Sequence, residues 1–266
     1  MTNSTNPQLE LAYNYVQKTN KNIFLTGKAG TGKTTFLHRI REESMKRSVV
    51  VAPTGVAAIN AKGVTIHSFF QLPFGPFIPD NQKALDQQRR FRKEKINIIR
   101  GLDLLIIDEI SMVRSDVLDG IDAVLRKYKN KFLPFGGVQL LMIGDLHQLP
   151  PVVKNEEWNL LRPYYDTSYF FGSRALAETD MIAIQLTHIF RQSDQTFIDL
   201  LNKVRDNKLD DVVLEKLNSR FIDNFQPPED AGYITLTSHN KTAQNINQEK
   251  LDLLPGKPRT LSLIHI

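Results

Sequence analysis

Cysteine is absent from the 266 residues, which excludes a disulfide framework and any thiolate-bound metal. The absence agrees with a reducing compartment. Long apolar runs are missing too. None approaches the roughly 20 residues that a membrane helix needs, and the opening MTNSTNPQLE lacks the apolar core of a secretory signal. The expectation is a soluble chain that is not exported and has no membrane partner. Internal repeats and low-complexity tracts are also lacking, so solenoid and fibrous architectures are set aside. Acidic residues are in the minority: 34 Lys and Arg against 29 Asp and Glu leave a net charge of +5. That surplus suits a polyanionic partner without requiring one. Much of it sits in RRFRKEKINIIR (89–100) and RKYKNK (126–131), and each run alone reads as a solvated helix face.

What is present is ordinary globular material, 41% apolar and 24% charged. Apolar runs of strand length recur at NIFLT (22–26), SVVVA (48–52), LLII (104–107), QLLMI (139–143), IAIQL (182–186) and YITLT (233–237). Most are too continuous for a half-exposed sheet. Helical patterns at 7–19, 33–45, 83–99, 115–130, 194–206 and 240–253 separate several of them. The alternation predicts an α/β fold, a parallel sheet with helices on both faces. Two segments break the rhythm. HSFFQLPFGPFIPDN (67–81) is dense in Phe and Pro and reads as an insertion standing off the sheet. FQPPEDAG (225–232) reads as a connector, with a second lobe expected to begin after about Leu176. Trp158, Tyr164, Tyr165, Phe170 and Phe171 are assigned to packing.

The strongest local signal is NIFLTGKAGTGKTTFL (22–37). Its Gly27-Lys28-Ala29-Gly30-Thr31-Gly32-Lys33-Thr34 fits a P-loop, with a strand before it and a helix after it. Glycines let backbone N–H groups close around phosphates, and the helix N-terminus adds a favourable field. Gly27, Ala29, Gly30, Thr31, Gly32, Lys33, Thr34 and Thr35 are therefore expected to bind ATP. Lys33 would reach the β- and γ-phosphates, and Thr34 would hold Mg2+. LLIIDE (104–109) puts Asp108 and Glu109 at the carboxyl end of a core strand, the edge where open α/β sheets bind ligands. Asp108 would complete the Mg2+ shell, and Glu109 would polarise the attacking water. A third strand ends in Gly144-Asp145 and delivers Gln148 toward the γ-phosphate, on a loop stiffened by Pro150 and Pro151. Gln148 would register whether that phosphate is present.

Several stretches together resemble the PIF-type DNA helicases, the five-prime-to-three-prime branch of helicase superfamily one that also contains RecD. Beyond the P-loop these are APTGVAAINAKGVTIHSFF (52–70), IIDEISMV (106–113), GDLHQLPPV (144–152), FRQ (190–192) and LTSHNKTAQNIN (236–247), in an order matching the family over about residues 8 to 250. The resemblance implies two RecA-like lobes, ATP hydrolysis with Mg2+, and translocation on single-stranded DNA that unwinds duplex junctions by a monomer. It also implies roles in DNA repair, recombination and, in eukaryotic relatives, telomere maintenance. Under it Gln8 is the glutamine that reads adenine; the residues alone equally make it a polar opener of a helix. Arg191 becomes an arginine finger on the γ-phosphate, where without the family it reads as a surface arginine.

The resemblance makes Thr54, Gly55, Thr65, His67, Ser68 and Phe69 a single-strand-contacting segment. Hydroxyls and amides there suit phosphates, and Phe and His offer faces to bases. His147 and Pro151 approach the same strand, so the 144–152 loop couples two sites. The Phe/Pro insertion resembles a wedge that meets the duplex junction; it also reads as a local apolar cluster packed on the sheet. The implied division is a first lobe over 1–63 and 83–176, a wedge over 64–82, and an incomplete second lobe over 177–260.

The family pattern also calls for an H-x-S/T-Q-G-like segment and a closing segment ending in Ser-Arg. Neither occurs before Ile266, so the chain is expected to be a fragment whose own turnover is in question. The reading frame CTG-TCT-CTT-ATA-CAC-ATC of a transposon-end adapter used in sequencing libraries would give LSLIHI (261–266), so these six residues are expected to be a non-native tail. A source in a bacterial or phage-infected cytoplasm is compatible with all of this. Three rival readings remain at this point: a RecD-like translocase subunit, another P-loop ATPase of the oligomeric AAA type, and an ATP- and DNA-binding fragment without hydrolysis.

Overall fold

The computed structural model describes residues 6–79, 91–190, 194–226, 228, 231–256 and 259. Arg191, residues 80–82 of the expected wedge and the tail 261–266 lie outside them. The chain forms two compact units, Met1–Lys208 and Leu209–Ile266.

Six strands build the first unit's sheet: β1 (Asn22–Gly27), β2 (Ser48–Ala52), β3 (Val64–Thr65), β4 (Leu104–Ile107), β5 (Gln139–Gly144) and β6 (Met181–Leu186). Their order is β3-β2-β4-β5-β1-β6, and every pairing is parallel. In β1, β4 and β5 successive side chains enter opposite cores. Ile23, Leu25, Leu104, Ile106, Leu141 and Ile143 face one, while Phe24, Leu105, Ile107, Leu140 and Met142 face the other. Both faces are covered, which is why these strands read as unbroken apolar runs. The first core is closed by α1 (Pro7–Lys18), through Ala12 and Val16, and by α2 (Lys33–Glu43), through Phe36, Leu37 and Ile40. Short helices α3 (Gly55–Asn60) and α4 (Ile66–Phe70) follow β2 and β3. The second core is closed by α5 (Lys93–Gly101) and α6 (Ser115–Tyr128). Helices α7 (Asn155–Leu161), α8 (Arg174–Ala177) and α9 (Gln195–Arg205) complete the unit.

Three buried aspartates stand on one face of α6 at successive turns, and each holds a separate loop. Asp116 accepts the backbone N–H of Phe77 at 2.8 Å and pairs with Arg114 at 2.6 Å. Asp119 accepts the Tyr165 hydroxyl at 2.8 Å and the N–H of Ala175 at 3.1 Å. Asp122 accepts the N–H of Phe135 at 2.5 Å and pairs with Arg126. Arg114 also donates to the Gly75 carbonyl at 3.2 Å and to Glu157 at 3.1 Å. The Phe/Pro segment 71–79 has no regular structure, as its prolines require. It is nonetheless pinned to α6, with Leu72 buried and Phe74 93% exposed.

Two expectations change. The boundary placed after Leu176 falls inside the first unit, because β6 pairs with β1 along its whole length and the units divide at Lys208. YITLT (233–237) is not a strand. It lies in the second unit, where no neighbouring strand is present among the described residues to take its backbone groups. That unit contains α10 (Asp211–Asn218), capped by Asp210, and α11 (Asn240–Asp252).

Candidate nucleotide and nucleic-acid sites

Because all strands run parallel, the residues leaving β4, β5 and β1 emerge side by side on one edge of the sheet. After β1 the loop turns through Gly30 (φ 79°) and Gly32 (φ 89°), left-handed positions that favour glycine, and then enters α2. Lys33 Nζ folds back on its own loop, donating to the carbonyls of Gly27 at 2.6 Å and Lys28 at 3.0 Å. After β4, Glu109 is itself left-handed (φ 50°, ψ 45°), a strained backbone for a residue with a side chain. Gly144 at the end of β5 permits this turn: a Cβ there would stand 2.9 Å from Ile110 Cγ2 and 3.1 Å from the Ser111 nitrogen.

Ala29, Gly30, Gly32, Lys33, Thr34, Thr35, Glu109 and Gln148 line one cavity of about 420 Å3 together with Phe190. Of the residues expected at the nucleotide, Gln8, Gly27, Thr31 and Asp108 are not among those lining it. Burial lowers the Lys33 ammonium pKa, against the pull of the Asp145, Glu109 and Asp108 carboxylates. Burial likewise raises Asp108 and Glu109, and Glu109 is raised further by its acidic neighbours Asp108 and Asp145. Such a cluster is short of positive charge, and its oxygen donors, the Thr34 hydroxyl and the Asp108 carboxylate, are of the hard type that suits Mg2+. The glycine cradle and these donors fit a Mg2+-bound nucleotide. Among the described residues no group of three His, Asp or Glu forms a cation site. Thr31 is buried and its hydroxyl donates to the Lys28 carbonyl, so its part is to brace the loop. Gln8 follows the Asn6 cap of α1 and its side chain donates to Thr187 Oγ1 at 3.2 Å, a contact that belongs to both of its readings.

A second cavity of about 380 Å3 is lined by Thr54, His67, Phe74, Arg114, Val152 and Glu157 among others. His67 stacks on the exposed Phe74 ring, centroids 5.4 Å apart and 11° from parallel. Burial, and then the Arg114 charge, lower the His67 pKa, with Asp116 opposing. Thr54 and Thr65 cap α3 and α4, their hydroxyls accepting from Ala57 N at 3.2 Å and Ser68 N at 3.3 Å. Two helix N-termini, with Gly55 and Ser68 in their first turns, therefore reach the same sheet edge. Phe69 does not fit the stacking role. It is buried against Phe70, and Lys95 Nζ covers its ring at 4.3 Å. Pro151 is buried, and His147 lines a different cavity beside α9. On this loop it is Val152 that reaches the second cavity. Of the aromatics assigned to packing, Phe170 and Tyr165 are core residues, Trp158 is half-buried, and Tyr164 and Phe171 are exposed. The sequence reading also passed over Phe190, whose N–H donates to the Gly30 carbonyl at 2.8 Å. Its one signal was its place before Arg191.

The model of the PIF1-like helicase family matches residues 6–215. The chain belongs to that family. It is 35% identical to the human ATP-dependent DNA helicase PIF1 over 259 residues, covering 96% of this chain and 38% of the human protein. With the same-named protein of Saccharomyces cerevisiae strain YJM789 it shares 35% identity, covering 91% of this chain and 28% of that one. The crystal structure of Pif1 helicase from Bacteroides in complex with ADP-AlF3 and ssDNA superposes with a TM-score of 0.88 at 40% identity, over 97% of this chain and 58% of that one. This PIF1-like chain therefore spans between 28% and 58% of the length of these relatives.

Proposed function

We propose that the chain is the ATP-binding motor lobe, with part of a second lobe, of a DNA helicase that couples ATP hydrolysis to five-prime-to-three-prime movement on single-stranded DNA. The observation that carries the reading is the short path between the two cavities. Gln148 lines the nucleotide cavity and Val152 the His67–Phe74 cavity, and Pro150 and Pro151 stand between them. A loop with two fixed φ angles transmits displacement instead of absorbing it.

In the proposed reaction Lys33 binds the β- and γ-phosphates, and Gln148 orients the γ-phosphate end. Glu109, its proton affinity raised by burial and acidic neighbours, takes the proton of the attacking water. The bond from the γ-phosphorus to the bridging oxygen breaks, and ADP and phosphate leave. Thr34 and Asp108 would hold Mg2+, which supplies charge neutralisation on the phosphates. Arg191 is proposed to approach the γ-phosphate on the strength of the family pattern. Single-stranded DNA is proposed to lie along Thr54, Gly55, Thr65, Ser68 and His67, with the Phe74 segment as the wedge. The lobe is proposed to act as a monomer, which light scattering of the DNA complex would check. We extend the reading to DNA repair and recombination; unchanged survival of a host lacking the gene after DNA damage would count against that.

The deciding measurement is ATP hydrolysis by this chain with and without oligo-dT, with Lys33→Ala as the blank. Stimulation by the single strand supports a DNA-dependent motor. A rate equal to the blank, with nucleotide and DNA still bound, supports the second reading, a binding fragment without turnover. That reading is favoured by the share of its relatives that the chain spans.

A further inference from the structure

Helix α9 carries none of the residues assigned above, yet two of its side chains reach the nucleotide edge. Arg205 forks onto Asp145: Nη2 donates to Oδ1 at 2.7 Å and Nη1 donates to Oδ2. The pair is nearly dry, with side-chain exposures of 1% for Asp145 and 18% for Arg205. The same carboxylate accepts the backbone N–H of His147 at 3.1 Å and Gln148 Nε2 at 3.4 Å. Arg205 Nη2 also stands 3.1 Å from His147 Nδ1. One turn earlier on α9, Asn202 Oδ1 accepts from Lys28 Nζ of the P-loop at 2.6 Å.

Asp145 is therefore the hub of the turn that leaves β5. A buried carboxylate keeps its charge only while it is paired and hydrogen-bonded. Although burial alone would raise the Asp145 pKa, the Arg205 bonds and the His147 N–H bring it below the ordinary carboxylate range. Without Arg205 the carboxyl would take up a proton or swing toward the nearest cation. Either change releases the two groups that fix Gln148 against the cavity. We propose that Arg205 is a positioning residue for the nucleotide site, acting through Asp145 to hold the turn that presents Gln148. The inference rests on the reading of that cavity as an ATP site. Lysine cannot replace the fork, because it offers one point of charge where the guanidinium offers two parallel donors.

The test titrates this chain with a fluorescent ADP in Mg2+, with and without aluminium fluoride as the γ-phosphate mimic. Aluminium fluoride is expected to tighten binding to the unaltered chain. Arg205→Ala should reduce that gain by about tenfold, leave affinity for ADP alone within about twofold, and give no further loss in a Gln148→Ala background. Arg205→Lys should fall between the two, and it carries the test if Arg205→Ala fails to fold. An unchanged gain overturns the proposal. So does a loss that simply adds to that of Gln148→Ala, or equal weakening of ADP and its aluminium fluoride complex, since a general structural role gives those results. If the unaltered chain and Lys33→Ala bind ADP alike, the ATP-site reading itself fails and the inference falls with it.

Discussion

Replacing Asp116 by alanine removes the partner of a guanidinium that is itself only 11% exposed, and strips the Phe77 N–H of its acceptor. Breaking a buried ion pair from one side costs about 3–5 kcal/mol, because the surviving charge is left uncompensated. Glu157, 3.1 Å from Arg114 and 26% exposed, offsets a little of this and places the effect toward the lower end. For a unit of this size that is a Tm loss of roughly 6–20 °C. The sole tryptophan, Trp158, lies on α7 next to Glu157 and within the first unit, so its fluorescence during urea unfolding follows the unit concerned. Swapping the pair for apolar residues of like volume, Arg114→Met with Asp116→Leu, should recover most of the loss, because desolvation of both charges is then avoided. The Gly75 carbonyl and Phe77 N–H would still lack their partners, so the segment bearing Phe74 should become more open to protease while the core recovers. A single-variant loss below about 1 kcal/mol, the scale of an exposed pair, would refute the claim that this pair anchors the segment.

Glu109→Gln should abolish hydrolysis and yet raise the melting temperature at neutral pH. The folded carboxyl is raised by burial, Asp108 and Asp145, so its favourable contribution is complete below its unfolded range and is lost as pH rises through the folded value. The advantage of glutamine should fade below about pH 4; an equal difference at both pH values would contradict it. Lys33→Ala should lower hydrolysis about 10²–10³-fold in any form of the protein that turns over, measured as phosphate release. Gly32→Ala places a Cβ at φ 89° and should cost about 1–2 kcal/mol in urea unfolding, together with nucleotide affinity; an unchanged midpoint would show that the loop relaxes freely.

Legibility followed burial. The runs that became β1, β4 and β5 could be read because both faces of the sheet are covered, so apolar residues continue without alternation. Two-residue β3 left no pattern to find, and YITLT had the composition of a strand without a partner to pair with. Residue type and spacing singled out Lys33, Glu109 and Gln148, and these line one cavity because the loops bearing them leave neighbouring strand ends. The same approach misjudged Phe69, because a ring fit for stacking and a ring fit for the core look alike in sequence. Arg205 was invisible for a different reason. It lies 60 residues from Asp145, and no spacing rule links them.

The parallel order of the sheet also dictates when the nucleotide site can come into being on the ribosome. Strand β1 carries the P-loop and is made early, but its neighbours are β5 and β6, and Asn22 accepts the N–H of Leu140 across 118 residues. No hairpin shelters β1 in the meantime, since parallel partners demand long crossovers. At about 5–20 residues per second, a nascent chain therefore carries an apolar, unpaired NIFLT for many seconds before its sheet can close. Ribosome-stalled chains ending before β6 should stay protease-sensitive around Lys33, and chains that have fully exposed β6 should not. Protection of the shorter chains would mean that the P-loop is built without its strand neighbours.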